Sequence, residues 1–340
     1  MNRLFFRTAL LLAAIILHAC REGDRGFWIK LGGNTQGTTY GVTYLSPDST
    51  NYQEDIERKL KEFDSSLSTY LASSLISRFN RDEEGIPPDP YFLTCFSCSE
   101  EVHRSTGGAF DITVAPLVNA WGFGFTERAE VDSSLIDSLL EYVGMEKVWF
   151  EDGMIRKEMP GVMLDMNAIA QGYAVDVLAG FLDSEGIANY LVEIGGEIST
   201  RGRNPRGLLW KVGIDRPVEG LQIPGAELQA IVEFTDRSLA TSGNYRRFYE
   251  KDGMKYSHTI DPKTGYPVQH GLLSATVMAE DCMRADAYAT AFMVMGFEKS
   301  REFLMNRSGM DAYLIYNDDE GEYRVWYTRG MKNLLVRGKH

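Results

Sequence analysis

An α+β fold is expected from three observations on the sequence. Strand-like alternation in "TTYGVTYL" and helical rhythm in "YQEDIERKLKEFDSSLSTY" occur in one chain. Two Asp-Gly pairs, Asp152 with Gly153 and Asp252 with Gly253, mark hairpin turns. Strands and helices then mix without the strict alternation that a doubly wound parallel sheet requires.

Taken in order, residues 20–33 read as a short tether leading into a strand. Apolar residues at 52, 56, 60, 63 and 67 predict a helix, which the polar loop "NRDEEGIPPDP" closes. A second helix is expected over 91–105, followed by Gly107, Gly108 and "AFDITVAPLVNAWGFG". The acidic stretch 129–142 is helical in pattern, and "KVWFEDGMIRKE" is a hairpin. "VMLDMNAIAQGYAVDVLAGFLDSEGI" is read as an apolar strand passing into a long helix that Gly186 ends. "NYLVEIGGEISTRG" and "LWKVGIDRPVE" are strands, and the stretch from Gly225 to Ile260 is a strand meander. Another strand, the Ala- and Met-rich helix "CMRADAYATAFMVMG", the helix "GFEKSREFLMNRS" and a hairpin around 312–327 complete the chain.

The bulk properties narrow the function class. At 340 residues, 44% hydrophobic and 24% charged, the chain has the composition of a globular protein with a large core. Its net charge of -13 disfavours non-specific binding to nucleic acid or anionic lipid. Residues 1–19 do not belong to the fold: Arg3 and Arg7 precede an apolar run from Ala9 to Leu17, the layout of an export signal. Leu17, Ala19 and Cys20 resemble a bacterial lipoprotein box, with an unusual His18 inside it. That resemblance implies lipid, palmitate included, on Cys20. The rival reading is an uncleaved anchor, for which the run is short. Cys95 and Cys98 form a C-x-x-C without a second such pair, and their helical phase makes them core residues, a disulfide being the alternative.

Three stretches carry candidate chemistry. Asp286 and Thr290 stand four residues apart, which on a helix places a carboxylate and a hydroxyl on one face. Such a pair suits a hard cation whose remaining ligands are backbone, water and substrate phosphate; the alternative is an Asp286 that caps its helix and a Thr290 that packs in the core. In "LDMNAIAQGYAVD", the small residues Ala168, Ala170 and Gly172 follow Asp165 into a helix, where backbone can approach a phosphate. This is not the G-x-G-x-x-G of a dinucleotide fold. In "YSHTIDPKTGYPV", His258 is the candidate general base, whereas His103, His270 and His340 lack a suggestive setting.

Eight ordered motifs, "TQGTTYGV", "LISRFN", "GGAFDITVAPLVNAWGFG", "LDMNAIAQGYAVD", "IGGEI", "LATSGNYRRF", "YSHTIDPKTG" and "DCMRADAYATAFMVMG", resemble those of the ApbE family of FAD:protein FMN transferases. The resemblance implies one domain over 34–335 behind the 1–19 signal and the tether, with a T-fold-like arrangement of mixed sheets and packed helices. A flavin nucleotide would occupy a cleft between two halves. It implies an enzyme lipid-anchored to a bacterial membrane outside the cytoplasm. That enzyme splits FAD between its phosphates, passes FMN to a threonine hydroxyl of an electron-transport partner and releases AMP. Asp286 and Thr290 match the family's magnesium ligands, with the main chain of Ala168. Gln36, Tyr70, Ala109, Phe110, Asp111, Asp165, Gln171 and Ile260 match FAD contacts, and His258 matches the proposed base. Two positions depart from the family pattern: Gln36 stands where Met is usual, and Gln171 where Lys or Glu is frequent. Hydrolysis of FAD to FMN and AMP, and storage of FAD without catalysis, are the alternative functions.

Overall fold

The computed structural model describes residues 26–81, 85–124, 130–218, 225–244, 248–251 and 254–336. The first strand, β1 (Phe27–Thr35), pairs along its whole length with β2 (Thr38–Ser46). Residues 27–33, read as tether, therefore belong to the sheet, because Ile29 and Leu31 alternate onto the core. Gln36 and Gly37, both at positive φ (49° and 74°), make the tight turn between the two strands.

The helices of the first half follow their apolar rhythm. α1 (Gln53–Leu67) buries Ile56, Leu60, Phe63 and Leu67. After α2 (Leu75–Arg81), Asp89 accepts from the Phe92 N–H and Pro90 occupies the first position, so α3 (Pro90–Ser105) starts where its caps dictate. α3 buries Cys95 and Cys98, and these two, with Cys282, are free thiols, as the core reading expected. A 3-10 turn at Ile112–Val114 leads into α4 (Ala115–Ala120) and then α5 (Ser133–Leu140). β3 (Val148–Glu151) and β4 (Met154–Lys157) form the expected hairpin, with Asp152 and Gly153 at its turn.

The apolar run before Asp165 is not the expected strand. Residues 162–166 join no sheet. Asn80 pairs its side-chain amide with both backbone groups of Leu164, at 2.9 and 2.8 Å, and the Asp165 N–H donates to the Ile112 carbonyl at 2.7 Å. One asparagine thus replaces a neighbouring strand as the partner of a buried backbone. α6 (Ala170–Ser184) follows and ends before Gly186, whose φ is 75°.

The second half is a strand meander: β5 (Tyr190–Ile194), β6 (Glu197–Arg201), β7 (Trp210–Asp215), β8 (Leu228–Phe234), β9 (Arg237–Gly243), β10 (Phe248–Lys251), β11 (Met254–Ser257) and β12 (Leu272–Ala279). α7 (Cys282–Met305), β13 (Asp311–Asn317), β14 (Tyr323–Tyr327) and α8 (Arg329–Leu334) complete the chain. An eight-stranded sheet runs in the order β1-β2-β5-β6-β9-β12-β13-β14, and every described pairing is antiparallel. Period-2 alternation covers both of its faces: Ala240, Val277 and Leu314 meet the helices, while Leu239, Met278 and Ile315 pack under β7 and β8. α7 breaks at Gly296 (φ 77°, ψ 176°), where the two expected helices meet; a Cβ there would come within 3.0 Å of the His270 ring.

The signal segment, Cys20 and the turn at Asp252 and Gly253 lie outside the described residues. Among the described residues no helix is long and apolar enough to cross a membrane.

Candidate active site

The site grows from the meeting of two helix N-termini. α7 carries its own cap, Asp281, whose carboxylate accepts from the Arg284 N–H at 2.7 Å. Asp286 is therefore not the cap of its own helix. Its Oδ2 instead accepts from the Gly172 N–H of α6 at 3.1 Å, and Ile169, at the start of α6, supplies no side-chain cap. Asp286 caps the neighbouring helix. The approach demands glycine: a Cβ at position 172 would lie 2.4 Å from the Cys282 carbonyl oxygen and 2.8 Å from the Asp286 Cβ.

Gly172 is the third residue of α6, so its N–H is one of the donors that a helix start leaves open, and no described residue donates a hydrogen bond to the Ala168 carbonyl, two residues before α6. A carbonyl oxygen with a free lone pair thus stands on the segment that Asp286 grips. Burial pushes the Asp286 carboxyl up to about 7, against the pull of the Gly172 N–H. One turn further along α7, the Thr290 Oγ1 lies 3.2 Å from the Ser242 Oγ of β9. The Asp286 carboxylate and the Thr290 hydroxyl stand one turn apart on α7, and oxygen donors of this kind suit a hard cation such as magnesium. Among the described residues no three or more His, Cys, Asp or Glu side chains gather into a metal-holding cluster.

Around this centre the chain gathers further expected residues. Through the backbone bond from Asp165 to Ile112, the segment Ala109, Phe110 and Asp111 adjoins Asp165. Both carboxyls are pushed up by burial, Asp165 against one bond from the Asn167 N–H and Asp111 against two from Thr113. Gly108 approaches the Lys263 side chain, which brings this segment beside the turn after His258. His258 itself follows β11 directly, its ring 6.3 Å from that of Phe123. Ile260 is buried with Leu117, Trp121 and Ile136, so its side chain is core and only its backbone is available for a ligand. Gly195, at φ 63°, brings Gln171, Thr38 and Glu197 within reach of a single point. Gln36 reaches Asp64 at 3.5 Å and leaves its buried Oε1 without a described partner. Tyr70 is 70% exposed.

Two functional-site neighbours escape sequence reading. His103, dismissed as an ordinary helical histidine, directs Nδ1 at the Phe110 carbonyl at 2.9 Å and at the Asp111 carboxylate at 3.4 Å. Asn80 holds the backbone just before Asp165. The motif "LISRFN" contains Asn80, but its target lies 84 residues away. A cavity of about 650 Å³, lined by Arg237, Arg307, Asp311 and Thr328 among others, includes none of the expected site residues.

Fold and site together define an α+β protein in which the first turns of two helices are bonded to each other through Asp286. The chain belongs to the ApbE family, whose model matches residues 36–314. It is 38% identical to the FAD:protein FMN transferase of Vibrio cholerae over 96% of this chain and 98% of that protein. Against the FAD:protein FMN transferase of Escherichia coli K12, identity is 34% over 99% of each chain. The flavin transferase ApbE structure from Vibrio cholerae superposes with a TM-score of 0.81 at 36% identity, covering 91% of this chain and all of that one. Apo flavinyl transferase ApbE of Pseudomonas stutzeri gives 0.81 at 32% identity, over 93% and 99% of the two chains.

Proposed function

We infer that this protein is an FAD:protein FMN transferase: it moves FMN from FAD to a hydroxyl of a partner protein and releases AMP. The near full-length similarity to transferases of that name supports the reaction. The single observation that carries the chemistry is the buried Asp286 carboxylate of α7, bonded to the Gly172 N–H in the first turn of α6.

The residues fit a magnesium ion, which Asp286, Thr290 and the Ala168 carbonyl would hold; bound there, it supplies charge neutralisation and Lewis acidity at a pyrophosphate. The protein's own groups supply the rest. Asp111 and Asp165 are hydrogen-bond acceptors for the nucleotide, and His103 keeps Asp111 in place. Gln36, Tyr70, Ala109, Phe110, Gln171 and the backbone of Ile260 complete the grip on FAD. His258 takes the proton of the attacking hydroxyl as its oxygen bonds to the FMN phosphorus and the bond to the AMP phosphate breaks. The acceptor is a threonine of an electron-transport subunit. The apolar leader and Cys20 support export and a lipid anchor, which would hold the enzyme at a bacterial membrane outside the cytoplasm.

The test uses the full chain in mild detergent with FAD, magnesium and a threonine-bearing redox subunit, read by in-gel flavin fluorescence and AMP release. His258→Ala is expected to lower the flavinylation rate by about 10²-fold or more, and Asp286→Ala to abolish the response to magnesium. Parental rates in both variants would refute the assigned roles. AMP released by the parent without flavinylation of any subunit would identify a hydrolase.

A further inference from the structure

We propose that Asp176 is a positioning residue for the cation cradle, locking α7 to α6 so that the Asp286 carboxylate is held at the Gly172 N–H in the first turn of α6. The inference rests on the cation-dependent reading above and adds a residue to it.

The two helices exchange caps. Both Asp176 carboxylate oxygens accept backbone bonds from the first turn of α7, from the Cys282 and Met283 N–H groups, each at 2.8 Å. In return the Gly172 N–H of α6 donates to Asp286 of α7. Gly172 and Asp176 stand four residues apart, as do Cys282 and Asp286, so each helix presents one donor and one carboxylate on the face toward the other. Bonds running in both directions fix the slide and the rotation of α7 against α6. Either bond alone leaves one of those motions free.

This differs from ordinary capping, which Asp281 already provides within α7. The Asp176 bonds join residues 106 and 107 positions apart in sequence. They act at the point where the absent Gly172 side chain lets the Cys282 carbonyl approach most closely. Without Asp176 the first turn of α7 is free to move away, and Asp286, one turn further on, moves with it. Magnesium demands near-ideal octahedral geometry, so a shift of about 0.5 Å in one ligand weakens the whole donor set.

The experiment measures the magnesium concentration that half-saturates the thermal shift of the full chain with FAD in mild detergent. It compares the parent with Asp176→Ala, Asp176→Asn and Asp281→Ala. Loss of an outer residue that orients metal ligands costs about 10-fold or more in affinity. Asp176→Ala is therefore expected to raise the half-saturating concentration by about that factor. Asp176→Asn, which keeps one acceptor oxygen, falls between it and the parent. Asp281→Ala lowers the melting temperature while leaving magnesium response within about twofold of the parent, because ordinary cap loss affects stability alone. A normal magnesium response in a destabilised Asp176→Ala would overturn the proposal, as would an equal loss of response in Asp281→Ala. Should the alanine variant fail to fold, an Asp176→Asn response equal to the parent's overturns it. If the parent shows no magnesium-dependent shift, the cradle reading itself fails, and the inference with it.

Discussion

Replacing Gly172 by alanine tests the contact on which the site is built. A helix-interior Gly→Ala change ordinarily stabilises by about 1 kcal/mol. Here the added methyl would lie 2.4 Å from the Cys282 carbonyl oxygen and 2.8 Å from the Asp286 Cβ, so α6 and α7 must separate by more than half an ångström to restore ordinary contact. Neither obstacle is the mobile end of a flexible side chain. Overpacking of this kind costs about 1–3 kcal/mol. The separation also breaks the Gly172 bond to Asp286, and a hydrogen bond to a charged group contributes about 1.5–3 kcal/mol. Setting these losses against the propensity gain gives a net destabilisation of about 3 kcal/mol. Urea unfolding of the full chain in detergent, followed by tryptophan fluorescence at unchanged m-value, reads that change directly. A variant as stable as the parent would refute the close approach and the cap exchange that depends on it.

Two further outcomes follow from the same geometry. In EDTA the stability of the protein should fall as pH rises from about 4 to 7, because Asp286 and Asp176, each pushed up to about 7 by burial, bind protons more tightly folded than unfolded. Their contribution is full below the unfolded carboxylate pKa and is lost as pH rises through the folded value; each group adds a slope of at most about 1.4 kcal/mol per pH unit. Asp286→Asn should flatten the profile in part, and an unchanged profile in chemical denaturation would contradict the burial of this carboxyl. Asn80→Ala should cost about 2–4 kcal/mol, since it strips both backbone partners from the buried Leu164. A urea midpoint equivalent to a loss under about 0.5 kcal/mol, the range of ordinary surface changes, would show that the segment before Asp165 is held by other contacts.

The limits of sequence reading fall on particular residues. Asp286 and Thr290 were legible as one helix face because spacing within a helix is a local property. The alternative for Asp286, a cap, was correct in kind and wrong in target: it caps α6 across 114 residues of sequence. "VMLD" carries the apolar run of a strand, yet the Asn80 side chain, rather than a neighbouring strand, satisfies its backbone. Periodicity cannot separate those two solutions, because both bury the same side chains. His103 looked ordinary for the same reason: nothing within its helix announces that Asp111 folds back against it.

The sequence by itself determined the α+β class, the helical rhythms, the hairpin at Asp152 and the oxygen pair on α7, since each depends on the order of near neighbours along the chain. Tertiary structure alone decided that the Gly172 N–H meets Asp286 and that Asp176 returns the bond to α7. Those outcomes depend on how closely two distant helices approach. That distance is fixed by the packing of both surfaces together, and neither segment encodes it alone.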